Sequence, residues 1–160
     1  MSSCVFPGSF DPVTRGHMDL IRRAAALFDR VTVTVMVNVR KTGCFPPEKR
    51  LALLRTACAD LPNVRVDRWD GLLAEYLREK GERCVLRGVR GLGEYDAEIT
   101  AAAANQALNP QMETLLMPAS PEASWISSSA VREIAAFGGD IRPYLPEEIA
   151  EEIAACLSNK

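Results

Sequence analysis

Val31-Thr32-Val33-Thr34-Val35-Met36-Val37-Asn38-Val39 sets a valine at every second position, the alternation of a β-strand that sends successive side chains to opposite faces. The segment ahead of it has a different period. Between residues 17 and 28, Ile21, Ala24 and Phe28 recur at three and four, which predicts a helix with Arg22, Arg23 and Arg30 towards solvent. Further back, residues 4–6 read as a short first strand ended by the Pro7-Gly8 breaker. Forward of the valine run, a helix is predicted from Pro46 or Pro47, where proline is tolerated and Glu48 suits the helix dipole, with Leu51, Leu54, Cys58 and Leu61 on one face. A strand at 63–67, a helix at 72–80 closed by Gly81, a strand at 84–86 and an alanine-rich helix at 94–108, able to pack closely, follow. A strand at 114–117 and helices at 128–137 and 146–157 complete the pattern. Strand and helix in alternation predict an α/β fold: a single Rossmann-like doubly wound parallel sheet with helices on both faces. Such sheets bind ligands beyond the carboxyl ends of their strands, so the loops there are the place to look for chemistry.

With 160 residues, 48% apolar and 25% charged, the chain fits one soluble globular domain over 1–160. No stretch approaches the roughly 18 apolar residues of a membrane span. A formal charge of −2 excludes a global attraction to nucleic acid or to an anionic membrane, so any bound anion must be held by local geometry. Residues 1–6 lack the basic start and apolar core of a signal peptide, and a cytoplasmic location is expected. The cysteines at 4, 44, 58, 84 and 156 form no Cys-x-x-Cys pair. With one histidine in the chain they are expected to be small apolar residues of a reduced protein, neither zinc ligands nor a nucleophile.

Two loops stand out. After the first strand comes Pro7-Gly8-Ser9-Phe10-Asp11-Pro12-Val13-Thr14-Arg15-Gly16-His17. Its glycines let backbone approach a ligand, and the chain's one histidine falls in the first turn of a helix, where free N–H groups favour anions. Near the other end, Trp125-Ile126-Ser127-Ser128-Ser129-Ala130-Val131-Arg132 opens a helix with three serines. One serine suffices as a cap; three before an arginine suit a phosphate. Arg87 and Arg90, three apart after a buried strand, offer two guanidinium forks for phosphate. A lone histidine is more often structural, and a loop lysine such as Lys41 or a helix acid such as Glu98 is more often just solvated.

Thr14-x-Gly16-His17 after a first strand, with Ile126-Ser127-Ser128-Ser129-x-x-Arg132 before a late helix, resembles the nucleotidylyltransferase superfamily, in which these two turns clamp the phosphates of a nucleoside triphosphate. Pro7-Gly8-Ser9-Phe10-Asp11-Pro12, Phe45-Pro46-Pro47-Glu48-Lys49-Arg50, Leu86-Arg87-Gly88-Val89-Arg90 and Glu94-Tyr95-Asp96-Ala97-Glu98 resemble the branch of it that adenylylates 4′-phosphopantetheine, from about Val5 to the final helix. The resemblance implies attack by the acceptor's phosphate on the α-phosphorus of ATP, giving dephospho-coenzyme A and pyrophosphate, the penultimate step of coenzyme A synthesis. It assigns His17, Lys41 and Arg90 to stabilising charge during transfer. Ser9, Lys41, Leu73 and Arg87 fall to 4′-phosphopantetheine. Ser9, Phe10, His17, Gly88, Val89, Arg90, Glu98 and the run Ala123-Ser124-Trp125-Ile126-Ser127-Ser128-Ser129 fall to ATP. Gly16 would leave space beside His17.

Mg2+ is expected as the ion carried with ATP, with no metal ligand named among the protein's own residues, and the same resemblance implies a cytoplasmic homohexamer and feedback by coenzyme A. Asp11 is the nearest acid to such an ion, with a loop-capping role favoured. The chain departs from the pattern at Phe6, where tyrosine is common, across residues 38–43, which lack a usual proline and paired lysines and leave Arg40 able to share the work of Lys41, and at Trp125, directly before Ile126. Rival readings are an adenylyl- or cytidylyltransferase for another phosphorylated acceptor, and a nucleotide-binding module without catalysis. A class I aminoacyl-tRNA synthetase core is expected to be longer and less acidic.

Overall fold

The structure is a computed structural model and describes residues 1–158. Five strands, β1 (Ser3–Gly8), β2 (Arg30–Met36), β3 (Val64–Trp69), β4 (Cys84–Val89) and β5 (Glu113–Pro118), form one parallel sheet in the order β3-β2-β1-β4-β5. Helices α1 (Arg15–Leu27), α2 (Pro47–Ala57), α3 (Leu73–Lys80), α4 (Leu92–Leu108), α5 (Ser128–Ala136) and α6 (Glu147–Ser158) carry the crossovers and the C-terminal end, with a 3-10 turn at Arg142–Tyr144. The predicted α/β doubly wound class is the observed one. The chain lays down β1, β2 and β3 in one direction, then returns to add β4 and β5 on the other side of β1. The order therefore reverses between β1 and β4, and that reversal opens a crevice at their carboxyl ends.

β1 does not end at Pro7-Gly8 as the sequence suggests. Pro7 pairs with Thr34 and Gly8 with Val35 on the β2 side. The break appears on the other edge: β1 bonds to β4 at Val5↔Val85, and Pro7, lacking an N–H, cannot extend that ladder. Its carbonyl instead accepts a 2.7 Å bond from Arg87 Nη1. The valine run stops earlier than predicted, at Met36. The reason is Asn38, whose side chain accepts from Arg40 N at 3.0 Å and whose carbonyl accepts from Lys41 N at 3.0 Å, turning the chain out of the sheet.

The main core lies between the sheet and α1, α2, α5 and α6, with Val31, Val33 and Val35 wholly buried. A smaller cluster of Val5, Tyr76, Leu77, Val85 and Met112 lies on the opposite face. Arg22, Arg23 and Arg30 do not merely face solvent; they pair with Asp60, Asp19 and Glu82. Among the described residues no cysteine forms a disulfide, and burial pushes the Cys4 thiol up to about 12 and that of Cys58 to about 11, so neither is a ready nucleophile. α4 departs from the expectation of close packing: none of its residues is buried, and Leu92 and Ile99 are 85% and 44% exposed.

Gly88 shows how tightly α1 sits on the sheet. A Cβ there would stand 2.2 Å from Leu20 Cδ1. Gly88→Ala is expected to cost no more than about 1 kcal/mol, since the clash falls on the end of the Leu20 side chain, which borders the cleft and can turn aside, read as a slightly lower denaturation midpoint; a loss of several kcal/mol would show that Leu20 cannot move.

Candidate active site

The first loop is shaped by Phe10, a non-glycine residue at φ 48° whose ring is almost wholly buried. That ring meets His17 edge-on at 4.9 Å and lies over Gly8, where a Cβ would come within 3.1 Å of it. The space at Gly8 is thus filled by protein, contrary to the expectation that it admits a ligand. The same correction holds at Gly16, whose missing Cβ would stand 3.1 Å from the carbonyl oxygen of Ile126. Gly16 lets the first turn of α1 press against the backbone before α5, and this contact brings the two sequence-distant motifs together.

Thr14 caps α1. Its hydroxyl accepts from His17 N at 3.3 Å, and its own N–H donates to His17 Nδ1 at 3.0 Å. An Nδ1 that accepts leaves the proton of a neutral ring on Nε2, on the side away from Thr14. Burial, then the nearby charges of Arg90 and Arg87, lower the His17 pKa to about 4. The imidazole is therefore a neutral donor at physiological pH.

Arg87 near the end of β4 and Arg90 just after it are already engaged. Arg87 holds Glu98 in a fork, Nε to Oε2 at 2.8 Å and Nη2 to Oε1 at 2.7 Å. Arg90 bonds Glu94 through Nε at 2.9 Å, and also through Nη2, while its Nη1 reaches the Ile126 carbonyl at 3.1 Å. Hydrogen bonds from Arg90 hold the Glu94 carboxyl below the usual range, against the upward push of burial. Glu94 and Glu98 stand one turn apart on α4 and hold both guanidinium groups at the cleft.

The three serines divide their work. Ser127 caps α5 by accepting from Ala130 N at 3.1 Å, Ser128 donates to the Pro12 carbonyl at 2.7 Å, and Ser129 accepts from Arg132 at 3.4 Å. Arg132 Nη1 also donates to the Asp11 carbonyl at 2.6 Å. Asp19, which the sequence reading did not single out, accepts from Ser120 N and Oγ at 3.1 and 2.7 Å and so ties the loop after β5 to α1.

These parts surround a cleft of about 410 Å³ at the switch point. Of the expected site residues, Ser9, Phe10, His17, Arg87, Gly88, Arg90, Glu98, Ala123, Ile126, Ser127, Ser128 and Ser129 line it. Lys41, Leu73, Val89, Ser124 and Trp125 do not. Lys41 is exposed on the turn after β2. Leu73 packs against the Tyr76 cluster. The Val89 carbonyl accepts from Ala119 N, Ser124 bonds Pro121, and Trp125 meets Tyr144 edge-on at 5.3 Å. Glu94 and Arg132 line the cleft but were given no ATP contact from the motifs' spacing.

A cytidylyltransferase-like family model matches residues 5–134, and the chain belongs to that family. Within it, the chain is 40% identical over its whole length to the phosphopantetheine adenylyltransferase of Clostridium tetani, covering 100% of both. It is 44% identical to that of Rubrobacter xylanophilus, covering 99% of this chain and 96% of the relative. The nicotinic acid mononucleotide adenylyltransferase of Plasmodium falciparum, solved with NaAD, has the same fold, with a TM-score of 0.65 at 14% identity, over 94% of this chain and 95% of that one.

Proposed function

We propose that this chain, acting as one nucleotidyltransferase unit over its length, transfers the adenylyl group of ATP to 4′-phosphopantetheine, giving dephospho-coenzyme A and pyrophosphate, the penultimate step of coenzyme A biosynthesis. The observation that carries the reading is the meeting of His17, Arg87, Arg90 and Arg132 around one cleft, in a chain whose full-length relatives bear that enzyme's name.

An oxygen of the acceptor phosphate, already anionic, attacks the α-phosphorus of ATP. A new P–O bond forms there as the bond to the bridging oxygen breaks, and pyrophosphate leaves in line with its electron pair. No residue has to take a proton, so catalysis is positioning and charge stabilisation. His17 donates from Nε2 to the α-phosphoryl oxygens as charge grows on them. Arg90 exchanges Glu94 for phosphate, and Arg87 exchanges Glu98 for the acceptor's phosphate, which frees Glu98 for the nucleotide. Ser9 touches the phosphates of both substrates, Lys41 reaches in from its exposed turn, and Leu73 meets the pantetheine arm. Phe10, Gly88, Val89 and the run from Ala123 to Ser129 hold ATP.

Magnesium is expected to enter as part of the nucleotide substrate, carried by its phosphates; both Asp11 oxygens accept backbone N–H groups. Among the described residues no helix is long and apolar enough to cross a membrane; the reading adds a cytoplasmic location and no nucleic-acid partner. The uncovered face of α4, with Leu92, Tyr95, Ile99 and Leu108 exposed, supports assembly with further copies, as a homohexamer. Coenzyme A, which contains the product, is the expected feedback inhibitor at the same cleft.

Pyrophosphate release from MgATP tests the reading. Release is expected only with 4′-phosphopantetheine present. Release with nicotinate mononucleotide, or from CTP with glycerol 3-phosphate, would overturn the acceptor, and silence with every acceptor would overturn the enzyme.

A further inference from the structure

Two buried, oppositely charged side chains tie the β1–α1 loop to the loop between β2 and α2, and no role above uses them. Asp11 is 8% and Arg50 7% exposed. The Asp11 carboxylate spans two backbone donors, with Cys44 N on Oδ2 at 2.7 Å and Phe45 N on Oδ1 at 2.8 Å. Arg50 completes the clasp from the first turns of α2: its Nε donates to the Phe45 carbonyl at 2.9 Å and its Nη1 to the Ser9 carbonyl at 3.0 Å. The two charges lie 4.0 Å apart. Gly43 passes directly over them; a Cβ there would stand 3.0 Å from Arg50 Nη2 and 3.1 Å from Asp11 Oδ2.

The clasp joins the two places that share the acceptor's phosphate, one of which, Ser9, also meets ATP in the reading above. Ser9 lies at one end, and Lys41 lies three residues ahead of Cys44 at the other. The nucleotide side of the same loop has separate anchors, Arg132 on the Asp11 carbonyl and Ser128 on the Pro12 carbonyl, and these do not involve the Asp11 side chain. We propose that Asp11 and Arg50 are positioning residues for the phosphorylated acceptor: the pair fixes the reach of the Lys41-bearing loop towards Ser9, and leaves the nucleotide half to α5. The inference rests on the functional reading above, in which Ser9 and Lys41 receive the acceptor's phosphate.

Asp11→Asn keeps the shape of the carboxylate but turns an NH2 against one of two backbone donors. Arg50→Lys keeps the buried charge but has no fork with which to hold Ser9 and Phe45 together. In both full-length variants the KM for 4′-phosphopantetheine is expected to rise about tenfold or more, the scale of losing a hydrogen bond to a charged group, with the KM for ATP within about threefold of the parent. Hydrogen exchange at residues 38–46 should quicken while residues 126–136 exchange as before. Equal rises in both KM values, or a fall in kcat and melting temperature with neither KM moved, would mark a merely structural pair and overturn the proposal. Should the parent chain turn over no 4′-phosphopantetheine, the functional reading falls, and the exchange measurement decides the clasp by itself: unchanged exchange at 38–46 in both variants overturns it.

Discussion

His17→Ala is expected to lower kcat by about 10²–10³, the scale of removing one transition-state donor, with little change in KM for ATP or 4′-phosphopantetheine. The ring is fixed before substrate arrives, by Thr14 N on Nδ1 and by the Phe10 edge, so its donor needs no reorientation as charge develops. Because burial and the two arginines lower its pKa to about 4, the pH–rate profile should show no His17 limb near pH 6.5. A break there, absent from His17→Gln, would refute the neutral donor. Stability carries the same signature. The unfolded histidine titrates near 6.5 and the folded one near 4, so between these values the unfolded state binds the proton and the folded state does not. Stability is full above pH 6.5 and is lost as pH falls towards 4. His17→Gln should show a shallower decline across that window, measured by denaturant titration.

Arg90→Ala should reduce kcat/KM for ATP by about 10²–10³, since a charged donor to a transferring phosphoryl group acts on the same scale as an oxyanion donor. Arg90→Lys should recover little. A lysine cannot hold the Glu94 carboxylate and the Ile126 carbonyl together, as the Arg90 fork does. Its charge would thus reach the phosphates without a fixed direction. Steady-state kinetics on the three proteins check this; a lysine variant within a few-fold of the parent would show that charge alone suffices. Arg87→Ala is the contrast, because its partners are Glu98 and the Pro7 carbonyl: its main effect should fall on the KM for the acceptor.

The valine run from 31 announced a strand because its alternation is local, written into consecutive residues. Its end was misplaced because a turn of Asn38 about its own side chain competes with a pattern that continues to Val39. Pro7-Gly8 reads as a breaker, and proline does break a ladder, but on the edge facing β4 and not on the edge facing β2. A sequence does not say on which side a strand will need its N–H. The two glycines of the first loop were legible as places of close approach. What approaches them, a Phe10 ring and an Ile126 carbonyl, was not.

By itself the sequence determined the α/β class, because periodicity and caps are properties of neighbouring residues. The family resemblance carried by its short motifs named Ser9, Phe10, His17, Arg87, Gly88, Arg90, Glu98, Ala123, Ile126, Ser127, Ser128 and Ser129, which line the cleft. The tertiary structure alone decided that Gly16 seats one motif on the other, that Glu98 and Glu94 hold Arg87 of β4 and Arg90 just beyond it, and that Asp11 and Arg50 clasp two loops. Each of these joins groups that only the packed sheet and its helices bring together, and a buried charge or a crowded Cβ has meaning only once its surroundings exist.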